Sequence, residues 1–224
     1  MSMSRTKKLQ ITAAIIILMA AVCFLWHFRY FFTGPDTTPV HDHSNADFGI
    51  PEIQSSIDMD GDGIDDQTDI LMSARSYIAQ KPIYKSKYYA SGYPDDNYGV
   101  CTDVVANALK NAGYDLMQLV YDDVTAHPED YSIDTPDIRI DFRRVANLKV
   151  YFDHTAIALT TDVHDISAWQ GGDIVVFQNH IGIVSDQRNS RGVPYVIHHN
   201  GRFQARYEED ILEKRDDITG HYRI

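Results

Sequence analysis

The apolar residues of this chain form one long run near the N-terminus and shorter periodic segments after it. The run covers 11–26, follows three basic residues and continues into aromatic residues up to 32. A membrane span needs about 20 apolar residues, whereas the apolar core of a secretory signal has only about 7–15. The run lies between these lengths, and 20–23 has the sequence Ala-Ala-Val-Cys, which is a poor cleavage site. We therefore predict an uncleaved membrane anchor over 1–32.

The charges on either side of this run predict its orientation. Basic residues stay in the cytoplasm, so the N-terminus should be inside and the body of the protein outside. Residues 1–32 contain four basic and no acidic residues, which leaves 16 basic and 32 acidic residues and a net charge of −16 for the exported part. This acidic body argues against nucleic acid and anionic lipid as partners. We predict a single-pass protein of the cell membrane whose domain is extracytoplasmic.

The segment after the anchor has no apolar period. Residues 33–57 are rich in Gly, Pro, Asp, Ser and Thr. This composition predicts a linker that holds the following domain away from the membrane.

An acidic loop at 58–69 has the most specific spacing in the chain. Its carboxylates stand at loop positions 1, 3, 5, 9 and 12, with glycine at position 6 for the sharp turn, and Ca²⁺ binds oxygens at this spacing. The loop resembles the calcium loops of dockerins, which also have aspartate at position 12. The alternative is a solvated acidic turn, in which the carboxylates would repel each other. The predicted ligands of a structural Ca²⁺ are Asp58, Asp60, Asp62, the Ile64 carbonyl, Asp66 and Asp69.

The pattern over 70–224 predicts one α+β domain, with helices first and strands afterwards. Helical spacing of apolar residues predicts helices that begin at 70, at Cys101 and at 115. Short apolar runs bounded by turn residues predict an antiparallel sheet. Its strands would be 174–177, 180–184, 194–198 and, at an edge of the sheet, 218–223.

Cys101 stands at the predicted start of the second helix. The exposed N–H groups and the dipole at a helix N-terminus stabilise a thiolate, so we expect a lowered thiol pKa. The other cysteine, Cys23, lies in the membrane run, so the exported part cannot form an internal disulfide. A lone thiol in an exported domain indicates intermolecular pairing or a reactive group, while a small buried hydrophobe is the alternative. We predict that Cys101 is a catalytic nucleophile.

Two histidines on neighbouring strands complete the candidate site. A symmetric register pairs Val184 with Pro194 and places His180 directly opposite His198, close enough for the rings to meet. The predicted roles are nucleophile for Cys101, general base and acid for His180, and orienting residue for His198.

Two other residues could take the orienting role. His199 points to the other face of the sheet in this register, and a slip of one residue would exchange it with His198. Asn200 shares the face of His198 but lies about 6.6 Å further along the strand. The sequence alone leaves open which of His198, His199 and Asn200 is the orienting residue.

Several segments around these residues resemble known families. Residues 172–177 and 180–184 look like the strand pair that carries the catalytic histidine in NlpC-type papain-like cysteine hydrolases, and 98–105 matches the nucleophile turn of that family in layout. The Asp-Cys-Ser-Gly sequence usual there is absent. Nearly all of 70–224 resembles the bacterial family called domain of unknown function 1287. The segments that carry this resemblance are 93–94, 99–105, 140–145, 169–170, 172–175, 180–186 and 220–223.

The resemblance implies a papain-like fold, in which the helix that carries the cysteine packs on the antiparallel sheet. It also implies a cysteine peptidase or amidase that acts on a cell-wall peptide. One alternative is a zinc hydrolase that uses Cys101, His180 and His198 as ligands and keeps one open position. The other is a non-catalytic, calcium-stabilised binding module of the cell surface.

Overall fold

A computed structural model describes residues 4–29, 34–38 and 42–224 of the protein. Parts of the predicted anchor and linker, namely 1–3, 30–33 and 39–41, lie outside the described residues. The helices are α1 Arg5–His27, α2 Asp66–Ala79, α3 Cys101–Asn111, α4 Leu116–Ala126 and α5 Val145–Thr155. The strands are β1 Ile83–Tyr84, β2 Tyr98–Gly99, β3 Ile157–Ala158, β4 Ile174–Phe177, β5 His180–Arg188, β6 Pro194–Ile197, β7 Glu208–Glu209 and β8 Ile218–Arg223.

The main sheet confirms the predicted α+β class and its antiparallel strands. Its order is β3-β8-β4-β5-β6-β7, and every neighbouring pair is antiparallel. The prediction of 218–223 as an edge strand is wrong, because β8 lies between β3 and β4. The two-residue strand β3 covers that edge, and it is too short to give a pattern in the sequence.

The two faces of the sheet have separate cores. On one face, Ile181 and Ile183 of β5 pack with Val104 and Val105 of α3, and all four are fully buried. On the other face, Phe177 packs in a smaller core around Trp169, Val184 and Val196. Burial of each aliphatic side chain stabilises the fold by about 1.5–3 kcal/mol, so α3 is held firmly against β5.

Helix α2 buries the predicted apolar face but begins earlier than predicted. Ile70, Leu71, Ala74 and Ile78 are buried, as the spacing predicted. The helix starts at Asp66, inside the acidic loop, because the carboxylate of Asp65 caps it by accepting the N–H of Thr68. The loop and the domain are therefore continuous.

The predicted linker packs on the domain over part of its length. Asn45 is buried, donates to the side chain of Gln170 at 2.9 Å and accepts from Nε of Arg188 at 2.5 Å. Arg188 is itself fully buried in β5. The prediction that 33–57 only holds the domain away from the membrane is therefore wrong around Asn45, because one buried polar residue leaves no apolar period in the sequence.

A buried polar network joins three of the segments that carry the family resemblance. Asp173 accepts from Nε2 of Gln67 at 2.8 Å, from His221 at 3.0 Å and from Nε of Arg223 at 2.8 Å. The ring of Trp169 stacks on His221 with centroids 3.6 Å apart. These contacts join α2, the turn before β4 and β8.

Helix α1 has the length and composition of a membrane span. Its 23 residues extend roughly 34 Å at 1.5 Å per residue, which exceeds the hydrocarbon thickness of about 30 Å. None of the hydrophobic window is buried against the rest of the protein. An N-terminal secretory signal has the same features.

Candidate active site

Helix α3 begins at Cys101, and buried polar contacts fix its first turn. The carboxylate of Asp103 accepts the N–H of Val100 at 2.8 Å. It also accepts from Nε and Nη2 of Arg143 at 2.6 and 2.9 Å. The side chains of Asp103 and Arg143 are 0% and 1% exposed. This bidentate pair holds the peptide before Cys101 in place.

The thiol of Cys101 lies against the backbone of β5. The backbone N–H groups of Ile181, the residue that follows His180, and of Thr102 in the same helix lower the pKa of this thiol. Burial raises the pKa of the thiol to about 11, and the backbone N–H groups offset this only in part. The expected lowering of the thiol pKa is therefore wrong, because removal of the sulfur from water outweighs the helix N-terminus.

The two predicted histidines are in direct contact. Nε2 of His180 lies 2.9 Å from Nδ1 of His198, and the rings are nearly perpendicular. Both residues are buried, at 4% and 0% exposure. Burial, followed by the nearby His198 and Arg215, lowers the pKa of His180 to about 3. At neutral pH the thiol of Cys101 and the imidazole of His180 are therefore both neutral, and no contact joins the sulfur to either imidazole ring among the described residues.

The register that brings the rings together differs from the predicted one. Val184 pairs with Val196, so the predicted pairing of Val184 with Pro194 is wrong by two residues. Strand β5 continues to Arg188, and an irregularity after Val184 takes up residues that the sequence assigned to a loop. A shift of two residues keeps each side chain on its face, so His198 lies diagonally across from His180 rather than directly opposite.

His198 has a further partner that the sequence did not indicate. Its Nε2 lies 3.2 Å from Oε2 of Glu209 in β7. Strand β7 has only two residues and follows an irregular segment, so no periodicity marks Glu209.

The other candidates for the orienting role lie elsewhere. His199 packs against the rings of Tyr84 and Tyr207, both with centroids 5.2 Å away, and its buried Nδ1 has no hydrogen-bond partner among the described residues. Burial lowers the pKa of His199 to about 4. Asn200 is exposed, and its N–H donates to the side chain of Gln204. Tyr84 also lies near Cys101, and burial followed by that thiol raises its pKa.

The acidic loop gathers some of the predicted calcium ligands. Asp58, Asp60 and Asp62 each present a carboxylate oxygen, and these oxygens lie within 4.8 Å of one another. Burial raises the pKa of Asp69, and the neighbouring carboxylates of Asp60 and Asp62 raise it further. The Ile64 carbonyl belongs to the same turn, where the Ile64 N–H donates to Asp62 at 2.8 Å.

Asp66 differs from the other predicted ligands because it makes contacts inside the protein. Its carboxylate is buried and accepts the N–H of Met59 at 2.9 Å and the hydroxyl of Tyr114. Tyr114 follows Gly113, whose φ of +90° ends α3. A Cβ at Gly113 would lie 3.1 Å from the backbone nitrogen of Asp60. The loop therefore packs on the C-terminal end of the helix that begins with Cys101.

Comparison with known proteins assigns the chain to a family. A family model described as "Domain of unknown function (DUF1287)" matches residues 71–224. YijF of Escherichia coli strain K12, described as an uncharacterized protein, is 36% identical over 167 residues, which cover 69% of this chain and 80% of YijF. No solved structure matches the chain. The resemblance of 70–224 to domain of unknown function 1287 is confirmed, and the protein belongs to the DUF1287 family.

Proposed function

We propose that this protein is a membrane-anchored, extracytoplasmic cysteine hydrolase with a papain-like domain of NlpC type. The observation that carries the proposal is the 2.9 Å contact between His180 and His198, next to Ile181, whose backbone N–H lowers the pKa of the Cys101 thiol. A thiol at a helix start, a histidine at a strand start and a second histidine that orients the first are the parts that thiol catalysis needs.

The chemistry starts from neutral groups. As the Cys101 sulfur attacks an amide carbonyl, its proton passes to Nδ1 of His180, the nitrogen that does not face His198. The imidazolium of His180 then gives this proton to the leaving amine, and a thioester remains on Cys101. His180 next takes a proton from water, which attacks the thioester and releases a carboxylic acid, and the thiol is restored.

The proposed substrate class is cell-wall peptides, on the strength of the resemblance to NlpC-type hydrolases. The full chain in detergent should release new amino groups from solubilised cell-wall peptides. Cys101→Ala should release none, because the other cysteine, Cys23, lies in the membrane run and the exported part has no second thiol to form the thioester. Treatment with a zinc chelator should leave the wild-type rate unchanged. Equal release by wild type and Cys101→Ala would contradict the proposal.

The zinc alternative has less support than the thiol mechanism. His180 and His198 point nitrogens at each other at hydrogen-bond distance, which leaves no room for an ion between those two atoms. Within 4–29, 34–38 and 42–224, the groups of three side chains that could hold a metal lie elsewhere, at 127–130 and 58–62. Loss of activity with a zinc chelator would favour the alternative.

We also propose that the acidic loop binds a structural Ca²⁺. The converging oxygens of Asp58, Asp60 and Asp62, with Asp69 nearby, support it. A cation there would remove the repulsion among these carboxylates and strengthen the packing of the loop on α3. The buried contacts of Asp66 favour a structural rather than a ligand role for that residue.

Calcium should raise the melting temperature of the wild-type protein, because the ion binds the folded form preferentially. Thermal melts of the full chain with Ca²⁺ and with a calcium chelator measure the shift. Asp60→Ala should remove most of it, whereas Asp134→Ala, at an exposed acidic position outside the loop, should leave it unchanged. Identical melting of the wild type in both conditions would show an acidic turn without a metal role.

The proposed location places the domain outside the cytoplasm. The basic residues before α1 support it, because positive charges at the start of a span stay inside. Protease added to spheroplasts should digest the domain while a cytoplasmic marker stays intact. Full protection of the domain in spheroplasts would contradict this orientation.

A further inference from the structure

Three groups on the Phe177 face of the sheet form a continuous chain of contacts. Oε2 of Glu209 lies 3.2 Å from Nε2 of His198, and Nδ1 of His198 lies 2.9 Å from Nε2 of His180. The position of Glu209 follows from the sheet, because β7 pairs Glu209 with Val196 and the N–H of His198 donates to the Tyr207 carbonyl at 2.8 Å. The glutamate is thus held by backbone hydrogen bonds on the same face as both rings.

These contacts indicate which ring nitrogens of His198 and His180 carry protons. A carboxylate only accepts, so Nε2 of His198 must carry a proton when it bonds to Glu209. In neutral His198, Nδ1 then has the lone pair, and it accepts the proton on Nε2 of His180. The lone pair of neutral His180 is therefore on Nδ1.

From this geometry we propose that Glu209 is a positioning residue, which fixes the tautomers of His198 and His180 so that Nδ1 of His180 is the basic nitrogen of the site. The role of that base rests on the proposed function, whereas the tautomers do not. When His180 takes a proton from Cys101, the Glu209 carboxylate also stabilises the new imidazolium through the ring of His198.

The side-chain amide of Gln204 lies beside the same nitrogen of His198 and favours the opposite tautomer from Glu209. Nε2 of Gln204 lies 3.3 Å from Nε2 of His198. Its orientation is fixed, because the Gln204 oxygen accepts the N–H of Asn200 at 2.7 Å and its nitrogen donates to the His198 carbonyl at 3.0 Å. This NH₂ group favours a lone pair on Nε2 of His198, which is the opposite tautomer.

Removal of the Glu209 carboxylate should therefore reverse the tautomers of both imidazole rings. In Glu209→Ala, His198 would accept from Gln204 at Nε2 and carry its proton on Nδ1. His180 would then accept at Nε2 and carry its proton on Nδ1, where it could no longer take one from Cys101. Glu209→Gln keeps an oxygen that can accept the proton of His198, so it should retain the wild-type tautomers.

Nitrogen NMR of the full chain, labelled with ¹⁵N-histidine, distinguishes protonated from unprotonated ring nitrogens at neutral pH. Signals are assigned with His180→Gln and His198→Gln. We expect protonated Nε2 on both rings in the wild type and in Glu209→Gln, and protonated Nδ1 on both in Glu209→Ala. Glu208→Gln is the matched control, because Glu208 is on the other face of β7 and pairs with Arg75; it should keep the wild-type tautomers.

A protonated Nδ1 on His198 in the wild type, or unchanged tautomers in Glu209→Ala, would overturn the proposal. Loss of the wild-type pattern in Glu208→Gln would also overturn it, since a general change in β7 would then explain the result. The readout does not need a reacting thiol. If Cys101 proves unreactive while the tautomers follow Glu209, the proposed function fails and the positioning role stands.

Discussion

Asp103→Ala should lower the free energy of unfolding by about 3–5 kcal/mol, because it leaves a buried charge without its partner. The guanidinium of Arg143 would lose both hydrogen bonds to the carboxylate and would keep its hydrogen bond to the Lys87 carbonyl. The N–H of Val100 would lose its acceptor as well, and this peptide positions Cys101. Denaturant unfolding of the full chain in detergent measures the effect.

Arg144→Ala is the matched control for this change. Arg144 is exposed and adjacent to Arg143, so its loss should change the stability by less than about 0.5 kcal/mol. The double variant Asp103→Leu with Arg143→Met should be less destabilised than the sum of the single changes, because it removes both charges. An effect of Asp103→Ala as small as that of Arg144→Ala would contradict the importance of this pair.

His198→Ala should lower turnover by about 10²-fold or more, since general acid–base catalysis contributes about 10²–10⁴-fold and needs an oriented base. His180 would keep its place in β5 but lose the 2.9 Å contact that fixes its ring. Cys101 should still react with a small electrophile such as iodoacetamide, because the change leaves the thiol at the start of α3. Release of amino groups from cell-wall peptides and alkylation of the thiol are measured in parallel.

His199→Ala provides the comparison for this prediction. His199 packs on Tyr84 and Tyr207 and does not hydrogen-bond to His180 among the described residues. Its replacement should leave turnover within a few-fold of the wild type, although loss of the buried ring can lower the melting temperature. The reverse ranking, with His199→Ala as the damaging change, would show that His198 is not the orienting residue.

The parts of the fold that the sequence predicted are those with local periodicity. The buried face of α2 follows from the helical spacing of its apolar residues, and β4 follows from its continuous apolar run, because both of its faces are buried. The register between β5 and β6 does not follow, because the irregularity after Val184 lengthens β5 without any glycine or proline in 185–188 to mark it. The pairing of His180 with His198 survived this error because the shift was by two residues.

The thiol pKa, the orientation of Asp66 and the position of Glu209 depend on contacts between residues that are far apart in the sequence. The thiol pKa follows from burial of Cys101 against β5, which the start of a helix does not reveal. Asp66 matches a calcium-loop position, yet its contact with Tyr114 turns it inward. Glu209 is one of several acidic residues in 208–210, and only the register of β7 distinguishes it.

The most direct test of thiol catalysis is acylation of Cys101 by p-nitrophenyl acetate in the full chain at neutral pH. A nucleophilic Cys101 should give a burst of nitrophenolate that approaches one equivalent, with the acetyl group mapped by mass spectrometry to the peptide containing Cys101. The burst should be absent in Cys101→Ala and at least about tenfold slower in His180→Ala, because the neutral thiol needs a base. An unmodified Cys101 in the wild type, or the same burst rate in His180→Ala, would contradict the account.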